Sequence, residues 1–243
     1  RRGVRRGGAA REDDLAGVMD RAAFERDGAW RFGRRLTASD VEPLRVLADS
    51  RIGSRPGIRL AEEPQLTALL GPDGPVGTIA ATLTSPAARP VRAVLFDKTA
   101  EANWVVAWHQ DRTIAVRDRV EVEGFRPWSS KDGSLHVAPP FDVLARLITL
   151  RVHLDPVDDT NAPLRIALGS HANGRVAADQ AAAVAAEALQ TTCLAEVGDV
   201  WAYRTLIIHA SDRSLTPHRR RVLQVDYADF DLPGGLVWQG LAT

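Results

Sequence analysis

The stretch Asn103-Trp104-Val105-Val106-Ala107-Trp108-His109-Gln110-Asp111 constrains the fold more than any other part of the chain. It reads as a β-strand ending in a His-x-Asp pair. Side chains alternate across a strand, so Val105, Ala107, His109 and Asp111 are expected on one face. An imidazole and a carboxylate so placed can grip one metal ion if a third ligand reaches them. Two histidines and one carboxylate leave coordination positions open and suit non-haem ferrous iron. The fold must therefore carry a distant histidine back onto this strand.

His209 is the candidate. It follows the apolar run Leu206-Ile207-Ile208, which reads as the end of a core strand, and an imidazole there needs a polar partner. Next comes Arg219-Arg220-Arg221, leading into another strand. Parity separates Arg220 from Arg219 and Arg221 but does not say which set points inward. An inward guanidinium suits a carboxylate, through its planar fork.

The remaining pattern points to many short strands behind helical N-terminal material. Residues 13–28 read as a helix ending near Gly28. Ser39 and Glu42 have capping-box spacing, predicting a helix from there to about Asp49. Residues 76–84 read as a strand or short helix. Strands are predicted at 90–97, 103–111, 113–122, 146–155, 164–168, 191–197, 199–208 and 219–228, with a helix at 177–189. Within 146–155, Ile148, Leu150, Val152 and Leu154 alternate with Thr149, Arg151 and His153, as in a half-buried strand. Residues 123–141 read as a long irregular loop, with Lys131 exposed in its turn. This order favours a mainly β fold with flanking helices, a jelly roll, over a parallel α/β sheet.

A single domain over 1–243 is expected, with a flexible tail at 1–12, a helical portion at 13–75 and a β core at 90–228. Lys+Arg and Asp+Glu balance at 31 each, so no global field favours nucleic acid or membrane. The one cysteine, Cys193, excludes an intrachain disulfide and a cysteine-based zinc site. That suits a reducing, cytoplasmic setting. Nothing in the sequence fixes the oligomeric state.

The ordered set of motifs resembles the phytanoyl-CoA dioxygenase family of Fe(II)/2-oxoglutarate oxygenases. The resemblance rests on Phe96-Asp97-Lys98-Thr99, Asn103-Trp104 through Trp108-His109-Gln110-Asp111, and Gly124-Phe125 through Trp128. Leu150 to Asp155, Pro163-Leu164-Arg165, Gly169-Ser170-His171, His209-Ala210-Ser211 and Arg219-Arg220-Arg221 complete it. It implies a double-stranded β-helix, the cupin-like jelly roll, with iron at one end. His109, Asp111 and His209 would be the metal ligands. Arg220, eleven residues after His209, would hold the distal carboxylate of 2-oxoglutarate, assisted by Ser211. Trp128, Lys98 and Asn103 are further cosubstrate candidates, and Arg219 and Arg221 stay open as alternatives to Arg220.

The implied reaction uses Fe(II), 2-oxoglutarate and O2 to hydroxylate or desaturate a C–H of a small molecule, releasing succinate and CO2. The carboxylate of Asp111 favours this over halogenation, since related halogenases lack it. Two other readings compete: a non-catalytic small-molecule-binding protein on the same fold, and a zinc hydrolase using the same three ligands. Among the other polar residues, His136 and Arg204 are candidate contacts and Arg151 either lines the pocket or pairs with an acid. His153 and His171 read as structural, His218 as solvated, and Trp104 and Trp108 as packing.

Overall fold

The computed structural model describes residues 19–241 except 54, 62 and 217. The expected tail at 1–12 and the start of the first predicted helix lie outside the described residues. In chain order the elements are α1 (Arg21–Asp27), β1 (Ala29–Phe32), α2 (Ala38–Arg51), β2 (Gly57–Leu60), α3 (Thr67–Leu70), α4 (Gly77–Leu83), β3 (Arg89–Lys98), β4 (Val106–His109) and β5 (Ile114–Val116). There follow β6 (Trp128–Lys131), β7 (Ser134–Val137), α5 (Phe141–Ala145), β8 (Ile148–His153), β9 (Leu164–Ala167), α6 (Ala181–Glu187), β10 (Gln190–Thr192), β11 (Val200–Arg204), β12 (His209–Ser211) and β13 (Arg220–Ala228).

The strands form a six-stranded sheet in the order β1-β11-β8-β13-β3-β2, a four-stranded sheet β10-β9-β12-β4, and a small sheet β5-β7-β6. Every named pairing is antiparallel. This is the jelly roll expected from the strand pattern.

The large sheet positions the site because both its faces are covered. One face carries Leu95, Leu150, Val152, Leu223 and Val225, which pack against Val41, Leu44 and Leu47 of α2 and against α4. The other face looks into the barrel. Register places Gln224 opposite Arg151 and Val94, and Asp226 opposite Thr149 and Arg92. A polar stripe therefore crosses the interior. It explains why β8 is buried along its whole length and not half-buried as its alternation suggests. Its polar face turns inside the roll, where Arg151 lines the cavity, one of the two places expected for it.

Several boundaries differ from expectation for local reasons. The capping box of α2 uses Thr37 and Asp40, with Asp40 N donating to Thr37 Oγ1 and Thr37 N donating to Asp40 Oδ2 at 2.8 Å. The same spacing occurs twice in Thr37–Glu42. The upstream frame starts the helix earlier and leaves Ser39 inside its first turn, bonded to Thr37 Oγ1 at 2.7 Å. The helical portion expected at 13–75 also holds β1 and β2, which are only four residues each and are defined by distant partners. The segment 123–141 contains a hairpin. Asp132 and Gly133 link β6 to β7 with φ of 49° and 79°, the left-handed pair that a two-residue hairpin turn demands. His209 opens β12, and the apolar residues before it form the turn after β11. No described helix is long and apolar enough to cross a membrane.

Candidate metal centre and cosubstrate cavity

β12 lies between β9 and β4, which brings His209 opposite His109. The two imidazole rings are 4.3 Å apart between centroids, and His109 Nε2 is 3.9 Å from Asp111 Oδ1. One donor atom from each of His109, Asp111 and His209 lies within 4.8 Å of the others. Each ring places Nδ1 against a backbone carbonyl two residues earlier, His109 on Ala107 at 2.8 Å and His209 on Ile207 at 2.9 Å. A carbonyl only accepts, so Nδ1 carries the proton and Nε2 keeps its lone pair. This is the tautomer a metal-binding histidine needs. The donor set thus fits a divalent transition metal.

A register shift aims these groups. Ser211 pairs with Val106 while His209 pairs with His109, so β4 has one more residue than β12 across the same interval. This bulge breaks the alternation predicted for 103–111. Val105 and Ala107 face solvent, whereas Trp104 and Val106 line the cavity with His109 and Asp111. Trp104 is therefore a wall of the site, in contrast to the packing role expected for it. Trp108 packs against the cluster around α6, with the Arg165 guanidinium 5.1 Å from its ring.

Between the two β4-side ligands, Gln110 is buried. Its Nε2 donates to Gly174 O at 3.0 Å and Leu206 O at 2.8 Å, and its Oε1 accepts from Val176 N at 2.9 Å. Three bonds fix the backbone from which His109 and Asp111 project. Gln110→Leu is expected to lower metal affinity by roughly 10–100-fold without removing a ligand, the range found when supporting contacts of metal ligands are lost. Metal titration followed by calorimetry checks it.

Electrostatics favour the metal-ready state. Burial opposes the charge of Asp111, but Arg92, aided by His209 and His109, offsets this and holds the carboxyl below its usual value. Arg92 is itself held by Asp226, 2.7 Å away, which accepts from Thr149 Oγ1 at 2.9 Å. Burial pushes His209 down to about 4 despite Asp111. His136, buried on β7 and not among the residues lining the cavity, is likewise pushed down to about 4 by burial. Histidines kept neutral by the fold stabilise it fully above their unfolded pKa near 6.5. That contribution is lost as pH falls towards 4, because only the unfolded chain takes up the protons. Asp226, raised by burial, works the other way. The metal-free protein should lose thermal stability steeply between pH 6.5 and 4. His136→Phe should make that decline shallower in thermal melts across the same window.

Beyond the triad the cavity is lined by Ser211, Arg220, Arg151 and Gln224. Arg220 is 4% exposed and Arg151 6%, and neither has a carboxylate partner among the described residues. Arg220 Nη1 donates to Ala162 O at 2.5 Å, and Arg151 Nη1 donates to Gln224 Oε1 at 2.6 Å. The Nε atoms of both are buried without an acceptor. Burial, then the proximity of Arg151, pulls the Arg220 guanidinium down to about 9. Ser211 Oγ also donates to Ala162 O, at 3.0 Å. Ala162 has φ of 61°, a left-handed conformation disfavoured outside glycine, and its carbonyl receives both side chains.

The neighbouring arginines are spoken for. Arg219 forks onto Asp97, and Arg221 onto Asp155 with Nη2–Oδ1 at 2.8 Å. Only Arg220 of the three enters the cavity. Trp128, Lys98 and Asn103, expected near the cosubstrate, do not line it. Trp128 sits in a separate apolar cluster. Lys98 Nζ donates to Trp104 O and Asp212 O, both at 2.7 Å, and Asn103 forms two bonds with the backbone of Ser214. Lys98 and Asn103 thus clamp the loop that follows β12. Arg204 pairs with Glu25 outside the cavity, and His136 does not reach it. His171 packs over Gly28, where a Cβ would come within 2.2 Å of its ring. Lys131, expected in an exposed turn, is exposed but lines the cavity mouth. Arg59 and Arg92 were not anticipated. Their signal is a lone charge among apolar neighbours in Gly57-Ile58-Arg59-Leu60 and Val91-Arg92-Ala93-Val94.

The family profile described as phytanoyl-CoA dioxygenase matches residues 13–222. The chain belongs to that family of Fe(II)/2-oxoglutarate-dependent oxygenases. The family's cofactors are Fe(II), 2-oxoglutarate and O2. No curated protein sequence matches this member. Among similar solved structures is the non-haem α-ketoglutarate-dependent carbocyclase SnoK from nogalamycin biosynthesis, at 15% identity and TM-score 0.64, covering 87% of this chain and 83% of that one. Another is the epimerase SnoN in complex with Fe3+, α-ketoglutarate and nogalamycin RO, at 17% identity and TM-score 0.60, covering 88% and 89%. HygX from Streptomyces hygroscopicus, with nickel, 2-oxoglutarate and hygromycin B bound, matches at 14% identity and TM-score 0.59, covering 86% and 87%. At these identities the likeness is one of fold.

Proposed function

We propose that this member hydroxylates an unactivated C–H of a small molecule, with His109, Asp111 and His209 holding iron and Arg220 and Ser211 receiving the distal carboxylate of 2-oxoglutarate. The observation that carries this reading is a convergence in one cavity. Three metal-donor groups face two buried guanidiniums that have no acid of their own. Two unpaired buried cations are costly unless an anion joins them, and a dicarboxylate beside the metal supplies one. A zinc hydrolase has no use for such a pair. Bound together, ferrous iron, 2-oxoglutarate and dioxygen supply the oxidising power: one oxygen atom enters the substrate C–H bond, the other enters succinate, and CO2 leaves.

The chain's own part is positioning. The carbonyls of Ala107 and Ile207 hold both imidazoles in the metal-binding tautomer. Arg92 keeps Asp111 ionised. Val94, Phe96, Trp104, Val106 and Leu164 give the cavity an apolar wall that excludes water from the reacting bond.

SnoK and SnoN are described as a carbocyclase and an epimerase, so the test must read the fate of oxygen and not only cosubstrate use. Candidate substrates are incubated with Fe(II), 2-oxoglutarate and 18O2. The expected product carries one labelled oxygen per succinate formed. Succinate with an unlabelled, rearranged product would overturn hydroxylation; no succinate with any substrate would overturn the oxygenase reading.

A further inference from the structure

We infer that the primary substrate is an oxyanion, a small carboxylate or phosphate, whose charged group is received by Lys131 and Arg59 at the cavity mouth. The inference rests on the oxygenase reading above and names the class of molecule it acts on. Five cationic side chains line the cavity, Arg59, Arg92, Lys131, Arg151 and Arg220, against the one carboxylate of Asp111. Two of the five, Arg92 and Arg59, have carboxylate partners among the described residues, and two more, Arg151 and Arg220, are the buried pair that the oxygenase reading gives to the cosubstrate. Arg92 is committed to Asp226 at 2.7 Å and to Asp111 at 3.5 Å. On the oxygenase reading Arg151 and Arg220, which line the same cavity, would face the cosubstrate. A divalent metal with Asp111 and dianionic 2-oxoglutarate sums to one negative charge, which that pair already exceeds.

Lys131 has no carboxylate partner among the described residues, and Arg59 has only the exposed Asp132 of the β6–β7 turn. Lys131 ends β6, directly before the Asp132-Gly133 turn. Its only polar contact among the described residues is the Thr113 hydroxyl at 3.4 Å. Arg59 arrives from β2, where it pairs with Val94 and so shares the interior face. It meets Asp132, which is 59% exposed, while its own Nε is buried with no acceptor. Two cations from different sheets, a half-buried Arg59 and an exposed Lys131, thus converge at the cavity rim. Burial, and then Arg92 and Arg59, push the Lys131 ammonium below its usual value, against the opposing pull of Asp111. The adjacent wall of Val94, Phe96 and Trp104 suits an apolar body behind the anionic head.

The test uses matched probes that differ in charge: benzoate, benzamide and phenyl phosphate. Each is titrated calorimetrically and anaerobically into protein loaded with Fe(II) and saturating 2-oxoglutarate. Benzoate or phenyl phosphate should bind roughly tenfold or more tightly than benzamide, and the tighter of the two anions identifies the head group. The preference should shrink in Lys131→Gln and vanish in Lys131→Gln/Arg59→Gln, with 2-oxoglutarate affinity within about twofold of the unaltered protein. Equal binding of benzoate, phenyl phosphate and benzamide, or a preference that survives the double substitution, would overturn the inference while leaving the oxygenase reading intact. Failure to bind 2-oxoglutarate at all would overturn that reading and this inference with it.

Discussion

Arg220→Leu is expected to make the metal-free protein more stable and to weaken 2-oxoglutarate binding by roughly 10²–10³-fold. The two effects share a cause. Arg220 is buried, is bonded to one carbonyl, and lies near a second guanidinium without any carboxylate to neutralise it. Replacing an unpaired buried charge by an apolar side chain removes a desolvation cost of several kcal/mol. The same replacement deletes the charge-assisted fork on which a dicarboxylate would close, worth about 3–4 kcal/mol. Thermal melts and calorimetry measure the two halves separately. Arg221→Ala is the control: its guanidinium is already paired with Asp155, so it should lose stability and leave 2-oxoglutarate affinity unchanged. An Arg220→Leu protein with undiminished affinity for 2-oxoglutarate would remove the cosubstrate role from this residue.

Asp111→Ala should abolish the stabilisation that added Fe(II) brings and cut succinate formation by about 10³-fold or more, a loss of roughly 4 kcal/mol. The apo fold should survive the change. Arg92 keeps Asp226, and the backbone at this point is held by Gln110 and not by the carboxylate. The melting temperature without metal should therefore move little, while the metal-dependent rise disappears because that rise reports binding to the folded state alone. Equal turnover in the variant and the parent would sink the assignment of this aspartate as a ligand.

The candidate metal centre was legible in the sequence because such a donor set is chemically rare at these spacings. His109 and Asp111 stand two apart, and His209 stands next to an apolar run. Arg220 was separable from its neighbours only by parity, and parity does not say which face is inside. The structure decides this through partners that counting cannot see, Asp97 for Arg219 and Asp155 for Arg221. The alternation of β8 is visible in the sequence as a half-buried strand, but its complete burial is not, because the second sheet over it is a long-range fact. The hairpin of β6 and β7 was within reach, since Asp132-Gly133 is a turn signal in its own right, and the surrounding glycines and prolines masked it. β1 and β2 carried no such signal. Four-residue edge strands owe their existence to neighbours far along the chain.

The extra residue in β4 gives the site two independent frames. Ahead of the bulge, Trp104 and Val106 shape the pocket; after it come His109 and Asp111, the two candidate ligands of this segment. Because the bulge lies between these halves, changes at the first pair are expected to remodel the pocket without tilting the candidate ligands. A single-residue deletion between them would do the opposite, restoring flush pairing and fusing specificity to chemistry in one rigid ladder.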